Sequence, residues 1–304
     1  MPIEKSEYIW MDGRFLPWDE AKIHVLSHAL HYGTGVFEGI RAYWNGDNLL
    51  VFRLEDHIRR FLNSARIYWM DLPYSLKDLM EVTLNLLRKN RLRTGSYIRP
   101  IAFRGLGEFG LNPLSSPVQC AIAAFPLGAY LKGGGVKVCT SSWRRIPDDS
   151  MPSTAKTCGA YVTSTLAKAE ALMRGYDEAI LLDSRGFLSE GSGENVFLVI
   201  DGTLHTPPIS ASILQGITRK TVIEIAEDKG LRVVERPILR SELYTCEEAF
   251  FTGTAAEITP ILEVDDRVIG EGSIGKVTST LRDTLSNAAL GKVERYKKWV
   301  TPVY

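Results

Sequence analysis

Three consecutive glycines at positions 133–135 are the feature that most constrains how this chain can fold. Glycine runs have no side chains to pack and are typical of flexible crossings rather than core elements. The sequence therefore predicts a linker at 127–135 that separates a domain at 1–126 from a larger one at 136–304. With 304 residues, 45% of them hydrophobic, the chain is long enough for each domain to bury its own core.

The first half alternates short strand patterns with amphipathic helices. Asp12-Gly13 between two apolar runs predicts a hairpin with a type I′ turn. A helix is predicted over 55–70, and a capping box at Ser75 and Asp78 begins a second one. Strands are predicted at 48–52, 97–103 and 118–125, which makes the first domain a small α/β unit. The apolar face of the first helix comprises Ile58, Phe61, Leu62, Ala65 and Trp69.

The second half predicts a mixed sheet with helices. Strands are expected at 136–142, 178–183, 196–200 and 249–252, with Asp201-Gly202 as a further hairpin turn. Helices are expected at 160–174 and 218–229, each followed by a glycine that can end it. The segment from about Lys292 onward is predicted to be helical or irregular.

Charge and composition exclude several classes of protein. The chain has 36 basic and 36 acidic residues, so no overall field favours nucleic acid or an anionic membrane. No apolar run reaches the roughly 20 residues of a membrane span, and no apolar signal core is present. Four dispersed cysteines predict reduced thiols and a cytoplasmic location. His24, His28 and His31 lack the further ligands of a metal motif, so no metal site is expected.

Lys156 is the strongest candidate for chemistry. It lies in Ser-Thr-Ala-Lys-Thr-Cys-Gly-Ala and is the only charged residue between Asp149 and Lys168. A lysine that loses its water has a lowered pKa, and its neutral amine can attack carbonyl groups. This context predicts Schiff-base chemistry, although a surface lysine would have the same local sequence.

Four further motifs accompany this lysine, and in this order the set resembles the branched-chain aminotransferases. They are His-Ala-Leu-His-Tyr-Gly-Thr-Gly-Val-Phe-Glu-Gly-Ile-Arg-Ala-Tyr at 28–43, Ser-Glu-Gly-Ser-Gly-Glu-Asn at 189–195, Leu-Gln-Gly-Ile-Thr-Arg at 214–219 and Gly-Thr-Ala-Ala-Glu-Ile-Thr-Pro at 253–260. The resemblance implies the type IV fold of pyridoxal-phosphate (PLP) enzymes, of class α+β. It implies a smaller N-terminal α/β domain, a larger C-terminal mixed, β-barrel-like domain with helices, and a PLP site between them.

The resemblance also implies roles in binding PLP. Lys156 would form the imine with its aldehyde and then move the proton from the substrate α-carbon. The phosphate would bind at the start of the helix predicted over 218–229, where backbone N–H groups and the helix dipole favour an anion. Arg60 rather than Arg59 would add a cation, and Gln215 replaces the usual proline of this motif. The residues that the resemblance implies in PLP binding, besides Lys156 and those at the ring, are Arg60, Leu214, Gly216, Ile217, Thr218, Gly253 and Thr254.

Two residues would control the electronic state of the PLP ring. Glu190 would face the pyridine nitrogen and keep it protonated, which makes the ring a better electron sink; Glu194 is the alternative carboxylate. Tyr161 would donate to the ring hydroxyl oxygen.

Substrate recognition is implied at another set of positions. The wall of the pocket would comprise Tyr32, Phe37, Gly39 and Tyr130, with Arg41 near its rim. Tyr97 and Arg99 match a Tyr-x-Arg motif, and Arg99 would bind the γ-carboxylate of glutamate. The turn at Thr254, Ala255 and Ala256 would bind the α-carboxylate.

The expected activity is transfer of the amino group of leucine, isoleucine or valine to 2-oxoglutarate, by a ping-pong route through pyridoxamine phosphate. The alternatives on the same fold are a D-amino-acid transaminase, an (R)-amine transaminase and a 4-amino-4-deoxychorismate lyase. A PLP-binding protein without turnover is the alternative of another class. Family members are homodimers, or dimers assembled into hexamers, so Tyr32 and the 106–111 loop would reach the neighbouring chain.

Overall fold

The computed structural model describes residues 3–128 and 134–304. Its strands are β1 (Tyr8–Met11), β2 (Arg14–Pro17), β3 (Gly35–Phe37), β4 (Ile40–Trp44), β5 (Leu49–Phe52), β6 (Ser96–Arg104), β7 (Val118–Pro126), β8 (Val136–Arg144), β9 (Glu178–Leu182), β10 (Leu188–Gly191), β11 (Asn195–Ile200), β12 (Thr203–Thr206), β13 (Val233–Glu235), β14 (Glu248–Gly253), β15 (Glu257–Val264), β16 (Arg267–Val268) and β17 (Val300–Pro302). Its α-helices are α1 (His28–Tyr32), α2 (Leu54–Ile67), α3 (Leu76–Lys89), α4 (Tyr161–Met173), α5 (Ile217–Asp228) and α6 (Lys276–Ala289).

The described residues form two compact units that differ in two respects from the predicted domains. The first unit comprises 3–128, 155–159 and 287–304, and the second comprises 134–154 and 160–286. The segment around Lys156 joins the first unit because Thr157 forms an isolated bridge with Val36. The C-terminal residues join it because β17 pairs antiparallel with β5. Tyr130 and most of the predicted linker lie outside the described residues.

The first unit is built on one sheet. Among the described residues its strand order is β17-β5-β4-β6-β7-β1-β2, and β3 also pairs with β6. The predicted hairpin is present, with Asp12 and Gly13 at φ values of 47° and 86°, as a type I′ turn requires. The capping box at Ser75 is present as predicted and begins α3. Ile58 and Phe61 of α2 are fully buried in the core of this unit.

The end of α2 differs from the prediction. Periodicity placed Trp69 on the apolar face of the helix, but α2 ends at Ile67 and Trp69 is 77% exposed. The Met70 N–H donates to the Ala65 carbonyl at 2.9 Å across Trp69, whose φ is +50°. This bond and the left-handed residue are typical of a Schellman ending. Met70 is thereby buried in place of Trp69.

The second unit contains the other sheet, in the order β10-β9-β8-β15-β14-β11-β12-β13, with β16 on β15. The strands of this sheet are mostly buried on both faces, as the continuous apolar run at 196–199 indicates. Gly175, which follows the end of α4, has a φ of +84°, as predicted for its stop. None of the helices in 3–128 and 134–304 combines the length and hydropathy needed to cross a membrane.

Candidate active site

The Lys156 segment pairs with β3 in the first unit through an isolated bridge between Thr157 and Val36. The Phe37 N–H donates to the Lys156 carbonyl at 2.9 Å, and the Cys158 N–H donates to the Gly35 carbonyl at 2.8 Å. The Lys156 N–H also donates to the Ser64 hydroxyl of α2 at 3.1 Å. Its ammonium group lies 5.1 Å from the centre of the Phe37 ring. The main chain of Lys156 is therefore held on two sides, next to a predicted substrate residue.

A fully buried carboxylate, Glu38, follows Phe37. It accepts hydrogen bonds from Arg60 Nε and Nη2 at 2.5 and 2.9 Å, and His57 Nδ1 lies 2.7 Å from Glu38 Oε2. Burial alone would raise the pKa of Glu38, but Arg60 and His57 hold that pKa well below its usual range. Burial lowers the pKa of His57 in spite of Glu38. Arg60 therefore uses the Nε edge of its guanidinium for Glu38.

The predicted substrate residues of the first unit form a compact group around Tyr97. Arg99 Nη2 donates to the Tyr97 hydroxyl at 2.9 Å, and the Arg99 guanidinium lies 4.8 Å from the Phe37 ring centre. Gly39 packs against the Tyr97 hydroxyl so closely that a Cβ atom would overlap it. Phe37 and Tyr97 are buried, while Arg99 is exposed at the edge of the group. The structure thus brings Phe37, Gly39, Tyr97 and Arg99 together.

Arg41 and Tyr32 have different surroundings. Arg41 is buried on β4, and its Nε has no hydrogen-bond partner among the described residues. Its Nη2 reaches the Leu127 carbonyl at 3.5 Å. Tyr32 lies at the end of α1 and is 40% exposed.

In the second unit, Glu190 accepts hydrogen bonds from Arg145, Asn195 and Leu214 among the described residues. Arg145 Nη2 lies 2.9 Å from Glu190 Oε1. Asn195 Nδ2 and the Leu214 N–H donate to Glu190 Oε2 at 2.9 and 3.1 Å. Glu190, Arg145 and Asn195 are each at least nine-tenths buried. These donors favour an ionised Glu190, because hydrogen bonds from a cation and from N–H groups stabilise the charged form of a carboxyl group.

Glu194, the alternative carboxylate, has opposite electrostatics. Burial and the neighbouring carboxylate of Glu178 raise the pKa of Glu194 to about 8. The Gly193 N–H donates to its Oε2 at 3.1 Å. Glu194 thus lies near other carboxylates, whereas Glu190 lies against the Arg145 guanidinium, so the surroundings favour Glu190 as the anionic residue.

The predicted phosphate cup lies at the start of α5. Gly216 is the N-cap, in an extended conformation, and no side chain of the described residues caps this helix. A Cβ atom on Gly216 would overlap the Asn195 amide oxygen. The same Asn195 amide donates to the Leu214 carbonyl at 2.9 Å, so it joins the helix N-terminus to Glu190. Main-chain N–H groups at an uncapped helix start suit a phosphate.

The remaining predicted residues of this unit lie at two other places. Thr254, Ala255 and Ala256 form the turn between β14 and β15, where Gly253 pairs with Glu257. Glu257 adopts a φ of +54° at the end of this turn. Tyr161 is the first residue of α4 and is half-buried. Over 3–128 and 134–304, no group of histidine, cysteine and carboxylate side chains could hold a metal.

Sequence reasoning did not single out four of the residues that form these arrangements. Glu38 lies between two predicted wall residues, and Asn195 ends the motif at 189–195, so both had a signal in the motifs. His57 lies in the segment Asp-His-Ile-Arg-Arg at 56–60 that pointed to Arg60. Arg145 had no such signal, because its partner Glu190 is distant along the chain.

Comparison with known proteins identifies the class. The family model described as "Amino-transferase class IV" matches residues 35–264, which places the chain among the class IV aminotransferases. The probable branched-chain-amino-acid aminotransferase of Aquifex aeolicus is 47% identical, over 98% of this chain and 97% of that protein. The chain therefore belongs to the branched-chain aminotransferases.

Solved structures agree with this assignment. The branched-chain aminotransferase of Thermoproteus uzoniensis, crystallised with norvaline, has a TM-score of 0.96 and 49% identity, covering 99% of this chain and 100% of that one. The T.th. branched-chain aminotransferase, complexed with N-(5'-phosphopyridoxyl)-L-glutamate, has a TM-score of 0.95 and 46% identity, covering 99% of both chains. The type IV fold predicted from the sequence is confirmed.

Proposed function

We propose that the protein transfers the amino group of L-leucine, L-isoleucine or L-valine to 2-oxoglutarate, forming L-glutamate and a branched 2-oxo acid. Membership in the branched-chain aminotransferases supports this substrate class, and PLP is the cofactor of the class. The observation that carries the proposal is that one chain holds both a lysine fixed by its main chain and a buried carboxylate bound by three donors. When bound, PLP supplies an electron sink for the substrate α-carbon.

The donor set of the second unit fits this cofactor. The uncapped first turn of α5 offers main-chain N–H groups, and Thr218 adds a hydroxyl; we assign both to the phosphate, with Gly253 and Thr254 as further contacts. Glu190 would accept a hydrogen bond from the pyridine nitrogen and hold its proton. Tyr161 would donate to the ring hydroxyl oxygen.

The first unit contributes the reacting amine and the substrate contacts. Lys156 would accept the proton from the substrate α-carbon and return it to the C4′ carbon of the cofactor, as general base and acid in turn. Arg60 would add a cation to the phosphate through the edge of its guanidinium that faces away from Glu38. Arg99 would bind the γ-carboxylate of glutamate, and Phe37 and Tyr97 would contact aliphatic side chains.

The proposal is tested by the absorption spectrum of the PLP-loaded protein during the two half-reactions. L-leucine is expected to remove the yellow band of the cofactor, and 2-oxoglutarate is expected to restore it. A band that responds to D-alanine or an (R)-amine faster than to L-leucine would assign the protein to one of the alternative activities. A band indifferent to every amino donor would contradict transamination.

We further propose that the protein is at least a homodimer and is cytoplasmic. The first unit has an apolar patch formed by two adjoining segments, since the His28 N–H donates to the Gly105 carbonyl at 3.0 Å. The exposed fraction of Phe109 is 98% and that of Leu30 is 60%. Large exposed apolar patches mark interaction surfaces, and a second copy is the partner expected of this family. The patch comprises Val25, Leu26, Leu30, Leu106, Phe109 and Leu111.

The proposed cytoplasmic location rests on the cysteines. All four cysteines are free thiols, which supports a reducing compartment.

Sedimentation velocity tests the assembly. The double variant Leu30→Asp/Phe109→Asp is expected to sediment as a monomer, because two buried, unpaired carboxylates oppose association. The control is Met173→Asp, which changes a residue that is 89% exposed in the second unit and should leave the assembly intact. A wild-type protein that is monomeric at micromolar concentration would refute the proposal.

A further inference from the structure

Arg145 is the buried cation beside Glu190, and it is fixed by three separate segments of the second unit. It follows β8, and its main-chain N–H donates to the Leu182 carbonyl at 2.9 Å. Its Nε reaches the Ser212 carbonyl at 3.4 Å, and its Nη1 reaches the Ser164 hydroxyl of α4 at 3.5 Å. The guanidinium therefore has little freedom to turn. It presents Nη2 to one oxygen of Glu190 at 2.9 Å.

The other oxygen of Glu190 is held by neutral donors. Asn195 and the Leu214 N–H both lie on Oε2, so the carboxylate cannot rotate without breaking bonds at both ends. A buried carboxylate stays ionised only if a cation and hydrogen bonds compensate for its lost water. Arg145 supplies the cation, whereas the nearby Glu194 is another acid and its interaction with Glu190 is unfavourable.

We propose that Arg145 is a positioning residue that keeps Glu190 ionised and directed at the pyridine nitrogen of the cofactor. It thereby keeps that nitrogen protonated. This inference rests on the proposed role of Glu190. Without the guanidinium, the buried carboxyl group would take up a proton or turn towards another donor. In either case it would stop holding the proton on the ring nitrogen, and the ring would lose strength as an electron sink.

The test uses protein reconstituted with PLP that carries ¹⁵N in the pyridine ring. The ¹⁵N chemical shift reports the protonation of the ring nitrogen directly, and a merely structural role of Arg145 would not move it. Arg145→Gln is expected to shift the signal towards the unprotonated value. It is also expected to lower kcat with leucine by about tenfold or more, the range that follows from losing a charged hydrogen bond, with little change in KM. Arg145→Lys should restore part of both.

Arg144→Gln is the matched control. Arg144 is exposed, and its Nη1 contacts the Ser141 carbonyl rather than Glu190. A wild-type signal and kcat in Arg145→Gln, with both changed in Glu190→Gln, would overturn the role of Arg145 and leave that of Glu190 intact. A wild-type signal in Glu190→Gln itself would remove the proposed role of Glu190, and the inference with it.

A double variant keeps the test decisive if Arg145→Gln binds PLP poorly or loses stability. Arg145→Gln/Glu190→Gln removes both charges, so no uncompensated carboxylate is left buried. The proposal expects the double variant to melt at a higher temperature without PLP than Arg145→Gln alone. If the double variant instead loses as much stability as the two single variants added together, the two side chains act independently. That result would overturn the proposal.

Discussion

Replacing Lys156 by alanine is expected to reduce transamination between L-leucine and 2-oxoglutarate by at least about 10⁴-fold, as removal of a covalent catalytic group does. The fold should persist, because main-chain atoms of Lys156 make the hydrogen bonds that hold this segment to Phe37 and Ser64. The measurement is steady-state turnover of the PLP-loaded protein, with circular dichroism as the check on folding.

Lys137→Ala is the matched control for this prediction. The side chain of Lys137 is 61% exposed and pairs with Glu263 at 2.8 Å on the surface of the second unit. Its removal should leave turnover unchanged. Wild-type turnover in Lys156→Ala would exclude this lysine as the reacting amine, whatever the fate of the other site residues.

The second large effect is expected on stability. Glu38→Ala should lower the free energy of unfolding by about 3–5 kcal/mol, because it leaves the largely buried Arg60 without its carboxylate. Denaturant unfolding of the cofactor-free protein measures the loss. The control is Glu55→Ala, which breaks the exposed Glu55–Arg59 pair on α2 and should cost less than about 1 kcal/mol. Equal losses in the two variants would contradict the importance given to the buried cluster.

The same cluster predicts a loss of stability in acid. The pKa of Glu38 is lower in the folded protein than its ordinary value of 4.5, so its stabilising effect is present above about pH 4.5 and declines below it. His57 also has a lowered pKa, below the ordinary 6.5, and unfolding becomes easier as the pH falls past that value. Glu194, with its raised pKa, acts in the opposite sense. Comparison with His57→Gln separates the two terms, since that variant lacks the histidine and should lose less stability between about pH 7 and pH 5, above the range in which Glu38 acts.

Local sequence was enough for the elements whose cause is local. The Asp12-Gly13 turn depends on left-handed main-chain angles that these residues tolerate, and the Ser75 capping box depends on residues three apart. Lys156 could likewise be singled out by the small residues around it. The end of α2 could not be predicted from local sequence. Whether Trp69 or Met70 is buried depends on the core that receives the side chain.

The sequence by itself thus determined the class of fold, the order of most elements and the candidate reacting lysine, since each follows from spacing within a few residues or from motif resemblance. Only the tertiary structure decided which charges meet. Glu38 and Arg60 are 22 residues apart, and β17 joins β5 from the far end of the chain. Arg145 likewise meets Glu190, which lies far along the chain. A buried charge is stable only where a partner of opposite sign lies within a few ångströms, and no local pattern encodes that proximity.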